Sequence, residues 1–239
     1  MFLEFDKISF SYPEVLALDC ISFKVARGEI VGLIGANGAG KTTAILHIIR
    51  YLNPKSGKIR MDGVDISKIK NEDFPVSYIP DTPVFYEELT LLEHLHFLKA
   101  LYPDNKLSID EIIDKLEILD HLHKVPSALS KGTKQKLMIA LALLRRYELL
   151  IADEPFSGLD PKQIGIFRQV LEECRQEQKA VLLSTHLLDM VDGTCDRYIM
   201  LHRGKLIAIG TKQDIIQRNA LDPDSTLEQV YLTLVGKEI

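Results

Sequence analysis

From Gly35 to Thr43 the chain reads Gly-Ala-Asn-Gly-Ala-Gly-Lys-Thr-Thr. Every fixed position of the pattern Gly-x-x-x-x-Gly-Lys-[Ser/Thr] is filled, and each residue type does something different to a polyphosphate. Gly35, Gly38 and Gly40 permit the backbone to curl until successive N–H groups point inward. Lys41 follows as a point charge able to reach the outer phosphates, and the Thr42 hydroxyl is placed to ligate Mg2+. A second set of reactive residues lies far along the chain: the adjacent acids Asp153 and Glu154, and His186 after an apolar run. In a phosphate-loop protein an acid at a strand end serves the metal, here Asp153. The next carboxylate, Glu154, would face the terminal phosphate, where it could orient and deprotonate an attacking water.

Each group has a recognisable carrier. Ile30-Val31-Gly32-Leu33-Ile34 is a buried strand that feeds the glycine loop, and Ala44 to Ile49 continues it as a helix. A helix opening there adds free N–H groups and its positive dipole end to the cradle. Leu149 to Ala152 is a second buried strand, ending in the two acids, and Ala180 to Thr185 a third, with His186 at its C-terminal end. In an open α/β sheet that edge is where ligands bind. After a loop at Phe156-Ser157-Gly158-Leu159, Asp160 is set as N-cap and Pro161 as first residue of a helix, with Ile164, Phe167, Val170, Leu171 and Cys174 on one face.

The remaining chain supplies strands, a helical block and a tail. Phe2 to Tyr12 and Cys20 to Val25 alternate as half-buried strands do, which predicts an antiparallel pair. Tyr12, before Pro13, is either a base-stacking ring or a plain loop aromatic. Lys58 to Met61 reads as a strand with a turn at Asp62-Gly63, and Val76 to Ile79 as a strand stopped by Pro80. From Leu89 to Val125 the period becomes helical, through Leu92, Leu95, His96 and Leu98, then Ile109, Ile112, Ile113, Leu116 and Leu119. His94, His96, His121 and His123 fall inside this block without a Cys or acidic set at ligand spacing, so they read as solvated or packed side chains. Leu129 to Lys136 reads as a polar loop that leads into an apolar helix, equipment for an anion or a simple N-cap. Arg197 to Leu201 and Leu206 to Ile209 form a hairpin, Thr211 with Asp214 a capping box, and Leu227 to Val235 a closing helix that reads as structural.

Composition limits the partners. The 239 residues are 46% hydrophobic and 26% charged, enough for a sizeable core without staples. Cys20, Cys174 and Cys195 are an odd number near apolar neighbours, which predicts buried free thiols in a reducing compartment. No basic-then-apolar leader begins the chain, and the longest apolar run, Leu137 to Leu144, is far short of the roughly 20 residues of a membrane span. The net charge of -5 argues against a nucleic-acid partner.

Taken together and in this order, the motifs resemble those of ATP-binding subunits of ABC transporters, over essentially the whole chain. Gly35 to Thr42 is similar to the family's Walker A loop, Leu129 to Gln135 to its signature loop, Leu149 to Glu154 to its Walker B strand and catalytic glutamate, Ser157 to Asp160 to its D-loop, and His186 to its switch histidine. The stretches Tyr78 to Asp81 and Pro83 to Thr90, with the Ser-Lys-Gly-x-Lys-Gln signature, most resemble Ecs-type bacterial exporter ATPases.

The resemblance implies an α/β P-loop NTPase fold with an antiparallel β subdomain and an inserted helical lobe: one ABC ATPase domain over 1–239, with the lobe and signature helix at about 82–147 and a C-terminal extension at about 206–239. It implies ATP binding by Tyr12, Gly35, Asn37, Gly38, Ala39, Gly40, Lys41, Thr42 and Thr43, with Ser130 and Gly132 serving a second copy's nucleotide. It implies Mg2+ at Thr42, Asp81 and Asp153, and catalysis by Glu154, His186 and Lys41. A dimer of this or a similar subunit, closed around two ATP, would drive a separately encoded transmembrane permease from the cytoplasmic face of the membrane. Two departures from the family pattern stand out. Lys131 and Thr133 replace a Gly and a Gln of the usual Leu-Ser-Gly-Gly-Gln, and Asp81 stands where a Gln is usual. The competing expectations are a soluble ABC ATPase acting on ribosomes or DNA, for which no tandem cassette, coiled insertion or basic arm is present, and a phosphate-loop kinase, which leaves Ser130 and His186 without a role.

Overall fold

A computed structural model describes residues 1–237. The chain opens with strands β1 (Leu3–Ser11), β2 (Leu16–Val25) and β3 (Ile30–Ile34), then helix α1 (Lys41–Ile48), β4 (Ser56–Met61), β5 (Val64–Asp65) and β6 (Val76–Ile79). A helical stretch follows, α2 (Leu91–Leu101), α3 (Ile109–Leu116) and α4 (Lys131–Leu144). The chain then alternates through β7 (Leu149–Asp153), α5 (Pro161–Gln176), β8 (Ala180–Thr185) and the single turn α6 (Leu188–Val191). It ends in the hairpin β9 (Arg197–His202) and β10 (Lys205–Gly210), α7 (Lys212–Arg218) and α8 (Leu227–Gly236). Residues 238 and 239 of the expected C-terminal extension lie outside the described residues.

Two sheets result. The smaller is antiparallel in the order β2-β1-β4-β5, and the larger runs β10-β9-β3-β8-β7-β6, parallel except for its β10 edge. Every residue of β3, β7 and β8 is buried, as expected of parallel strands covered on both faces. Their period-2 alternation divides the interior in two. Val31, Leu33, Leu149, Ile151 and Leu182 face α1 and the antiparallel sheet, whereas Ile30, Ile34, Leu150, Val181 and Leu183 face the core built with α2 to α5 and α8. Each fully buried Leu or Ile contributes about 1.5–3 kcal/mol, so both faces tie the strand ends firmly in place.

The register sets the functional edge. Ile34 lies level with Thr185, Asp153 with Ser184, and Ile79 with Ala152. The residues leaving these strands, Gly35, Glu154, His186 and Asp81, therefore emerge at one C-terminal edge.

Local sequence explains most helix starts. Thr90 with Glu93, Ser108 with Glu111, Asp160 with Gln163, Thr211 with Asp214 and Thr226 with Gln229 all form capping boxes. Three expectations need correction. The polar stretch after Leu129 is helical from Lys131, because the Ser130 side chain accepts the Thr133 N–H and starts the helix there. On α2 the inward face is Leu91, His94 and Leu95, one position earlier than the spacing indicated, and His96 is exposed. The shift follows from His94, which donates from Nδ1 to the Thr90 carbonyl at 2.8 Å and accepts the Tyr86 N–H at 3.1 Å, so a fully paired histidine packs inside. Of the cysteines, Cys174 is buried but Cys20 is exposed. Cys20 sits at φ +52, where the β1–β2 register slips and its side chain turns outward.

Candidate nucleotide site

The glycine loop leaves β3 and tightens into α1 under steric constraint. A Cβ on Gly35 would lie 2.5 Å from the Leu201 carbonyl oxygen of β9, and one on Gly40, at φ +106, would lie 2.6 Å from the Ala17 carbonyl oxygen. Only glycine fits at both points. Further contacts hold the curl: the Ala39 N–H donates to the Ala36 carbonyl, and the Gly204 N–H to the Ala39 carbonyl. The Lys41 ammonium, 7% exposed, folds back to donate to the Gly35 and Ala36 carbonyls at 2.8 and 3.3 Å. It also lies 3.4 Å from Glu154 Oε1. A buried ammonium with these weak carbonyl partners is set to exchange them for phosphate oxygens.

Asp153 ends β7 beside this loop. Its carboxylate accepts the Thr42 hydroxyl at 2.9 Å on Oδ2 and the Ser184 hydroxyl on Oδ1. Burial pushes the Asp153 carboxyl up from the usual carboxylate range. The two hydroxyls oppose the rise, and the negative charges of Glu154 and Asp81 add to it. A buried carboxylate next to a threonine hydroxyl is an all-oxygen donor set that suits Mg2+, whose charge would relieve the cost of keeping Asp153 ionised. Asp81, exposed after β6, adds a third oxygen group on the wall of the same cleft.

Glu154 stands in the left-handed region at φ +48, a strained conformation for a residue with a side chain. Its surroundings hold it there. Oε2 accepts the Thr185 hydroxyl at 2.9 Å and the His186 N–H at 3.2 Å, and Oε1 lies 2.9 Å from His186 Nδ1. With Nδ1–H donating to the carboxylate, His186 directs Nε2 away from it, free to meet another group. The imidazole is exposed.

A cleft of about 300 Å3 is lined by Tyr12, Asn37, Lys41, Thr42, Asp81 and Glu154, with Gly38, Ala39, Gly40 and Thr43 also on its wall; Asp153 and His186 stand behind it, bonded to Thr42 and Glu154. Tyr12 follows β1 directly and is 41% exposed. It stands edge-on to Phe10 at 5.1 Å, and Phe10 edge-on to His47 of α1 at 4.7 Å, so the ring is backed by a ladder of aromatics. A larger depression of about 570 Å3 lies beside Arg145, Arg146 and Tyr147, residues that enter β7 from the opposite edge. It contains none of the groups above.

Ser130 and Gly132 do not line the nucleotide cleft. Ser130 caps α4 and is exposed, its hydroxyl paired with Thr133 Oγ1 at 2.9 Å. Lys131 donates to the Ser157 hydroxyl at 2.8 Å and lays its stem on Gly158, while Gln135 donates to the Pro155 carbonyl. The start of α4 is thereby fastened to the loop that follows Glu154.

Sequence reasoning missed three contributors. Ser184 and Thr185 could have been found as hydroxyls closing a buried strand one step before His186. Tyr231 of α8 could not: its hydroxyl accepts the Ala36 N–H at 2.9 Å across 195 positions of sequence, and nothing in its helix signals this.

Known proteins are similar to this chain in sequence and in fold. The sequence profile of the family described as "ABC transporter" matches residues 18–157. The ABC-type transporter ATP-binding protein EcsA of Bacillus subtilis (strain 168) is 37% identical over 232 residues, 95% of this chain and 94% of that protein. A solved structure of the ATP-binding subunit of an ABC transporter is 38% identical, with a TM-score of 0.89 and coverage of 98% of this chain and 100% of that one. The ATP-binding cassette MJ0796, solved as a post-hydrolysis dimer bound to ADP and Pi, shares the fold at 21% identity, with a TM-score of 0.74 over 87% of this chain and 98% of that one. A phosphate loop facing two strand-end carboxylates and a histidine, in a chain so closely aligned with these proteins, makes this an ATP-hydrolysing member of the ABC transporter family, one of its ATP-binding subunits.

Proposed function

We propose that two copies of this chain, or this chain and a similar subunit, close head to tail around two ATP and drive a separate transmembrane permease. Glu154 would act as general base toward water, and His186 would steady that carboxylate through Nδ1 and present Nε2 to the terminal phosphate. Lys41 and the loop N–H groups from Asn37 to Thr43, with Gly35 and Gly38 shaping the loop, would hold the β- and γ-phosphates, and Tyr12 would stack on the base. Thr42 and Asp153 would hold Mg2+, with Asp81 reaching it through water. The metal supplies neutralisation of phosphate charge when bound.

The observation that supports the dimer is the separation of Ser130 and Gly132 from their own chain's cleft. Gly132 packs without room for a Cβ against the Gly158 carbonyl of its own chain, which leaves the exposed Ser130 cap as the equipment that would meet another copy's γ-phosphate. The helical stretch between β6 and α4 carries exposed apolar side chains, Val84, Tyr86, Phe97, Leu101 and Leu119. That surface suits a membrane subunit, since no helix among the described residues is long and apolar enough to cross a bilayer itself. The protein would then sit on the cytoplasmic face of the membrane through its permease, without nucleic acid. Export as the direction rests on the likeness of Tyr78 to Thr90 to Ecs-type ATPases.

The test is gel filtration of Glu154→Gln with ATP and Mg2+. An ATP-dependent dimer is the expected result, and a monomer at every ATP concentration would remove the composite site.

A further inference from the structure

The closing helix reaches the phosphate loop through the Tyr231 hydroxyl. α8 is seated by Leu227, Val230 and Leu234, all buried, and its start is fixed by the Leu227 N–H reaching Asp192 Oδ2 at 3.4 Å. From this seat Tyr231, only 7% exposed, extends its hydroxyl to the exit of β3. There it accepts the Ala36 N–H at 2.9 Å and donates to the Leu201 carbonyl at 3.2 Å.

Both partners are points on which the loop's shape depends. The Ala36 N–H belongs to the same peptide unit as the Gly35 carbonyl, and that carbonyl accepts from Lys41 Nζ at 2.8 Å. One flat peptide group is therefore gripped at its N–H by Tyr231 and at its oxygen by Lys41. The Leu201 oxygen, on the other side of the hydroxyl, is the atom against which Gly35 is packed without room for a Cβ. Removing the hydroxyl would leave the Ala36 N–H without this acceptor and take a donor from the buried Leu201 carbonyl, a cost the loop would relieve by turning that peptide over or drawing away from β9. Either movement displaces the carbonyl that parks Lys41 and loosens the curl of N–H groups beyond it.

We infer that Tyr231 is a positioning residue for the phosphate loop, and that through it the docking of the C-terminal helix sets the affinity for the nucleotide's phosphates. The inference rests on the loop being the ATP cradle. By linkage, a helix that favours the bound loop is itself held more firmly when ATP is bound.

Tyr231→Phe tests this, because it removes one oxygen and keeps the ring. Equilibrium titration with ATP should give a Kd about five- to tenfold higher than wild type, and steady-state kinetics a matching rise in KM with kcat at saturating ATP within twofold. Amide exchange in the nucleotide-free protein should quicken across residues 35–40. Leu234→Ala loosens the seat of the same helix without touching the hydroxyl: it should lower the melting temperature and raise the ATP Kd in the same direction, by less than Tyr231→Phe does. A Tyr231→Phe Kd within twofold of wild type overturns the inference, as does a Leu234→Ala protein that loses as much affinity as Tyr231→Phe. Lys41→Ala is titrated alongside. An unchanged Tyr231→Phe next to a weakened Lys41→Ala overturns the positioning role alone, and unchanged values in both overturn the cradle with it.

Discussion

The phosphate-loop edge and the start of α4 are built from similar material, yet they stand in opposite conditions. At the first, nearly every polar group has a partner from another element: Thr42 and Ser184 on Asp153, Thr185 and His186 on Glu154, Lys41 between Gly35, Ala36 and Glu154. At the second, Ser130 is paired only with its own helix turn at Thr133, and lies exposed. The first is a closed network within one chain. The second is supported from behind by Lys131 on Ser157 and Gln135 on Pro155, with Ser130 exposed in front. On the proposed reading the contrast divides binding from completion: one edge would hold a nucleotide by itself, and the other would act against a second surface.

The sharpest way to break this division is to strike the network where only turnover should suffer. Glu154→Gln keeps the shape, and its amide oxygen can still accept from the Thr185 hydroxyl and the His186 backbone N–H, but it cannot take a proton, so hydrolysis should fall by about 10²- to 10⁴-fold with ATP affinity preserved. Single-turnover assays with titrated ATP check it, and a wild-type rate would remove Glu154 as base. Lys41→Ala strikes binding instead. Losing a charge-assisted contact worth about 1.5–3 kcal/mol should weaken ATP by about 10- to 100-fold, and a titration showing near wild-type affinity would contradict the role.

Striking the open half sharpens the comparison. Ser130→Arg should stop hydrolysis while the isolated subunit still binds ATP within about twofold of wild type, because the bulk meets only the other copy. Mixing Ser130→Arg with Lys41→Ala subunits should restore part of the activity, since one composite site then carries both defects and the other none. A Ser130→Arg subunit that cannot bind ATP would instead assign Ser130 to its own chain's nucleotide.

The smallest effect is expected at Asp81, exposed on the cleft wall, where an Asp reaches less far than the usual Gln but adds charge. Acting through water, it should be worth a two- to fivefold rise, roughly, in the Mg2+ concentration for half-maximal ATPase when changed to Asn. Equal values for wild type and variant would leave Asp81 as a strand stop after Pro80 or a partner contact.

Much of this was legible without coordinates, and the reason is local. The glycine loop, the acids closing β7, His186 closing β8 and the Asp160 cap each draw their chemistry from contiguous residues, so spacing and residue type determined them. Unbroken apolar stretches likewise identified β3, β7 and β8, because parallel strands covered on both faces read as continuous apolar runs. Where a reading went astray, a side-chain hydrogen bond or a strand irregularity that apolar spacing does not report had intervened. His94 turned the face of α2 by bonding Tyr86 and Thr90, the β1–β2 bulge put Cys20 outside, and Ser130 drew Lys131 into the helix.

What tertiary structure alone decided is which of these fragments meet. Register in the parallel sheet, which sets β3 beside the far later β8 and β8 beside β7, brought Asp153 to Thr42 and His186 to Glu154, on the crevice that also holds Lys41. It also left Ser130 outside that crevice. The link from Tyr231 to Ala36 lies furthest from anything the sequence determined, since it depends on how α8 settles on the core, a sum of many weak apolar contacts that leaves no signature at the tyrosine itself.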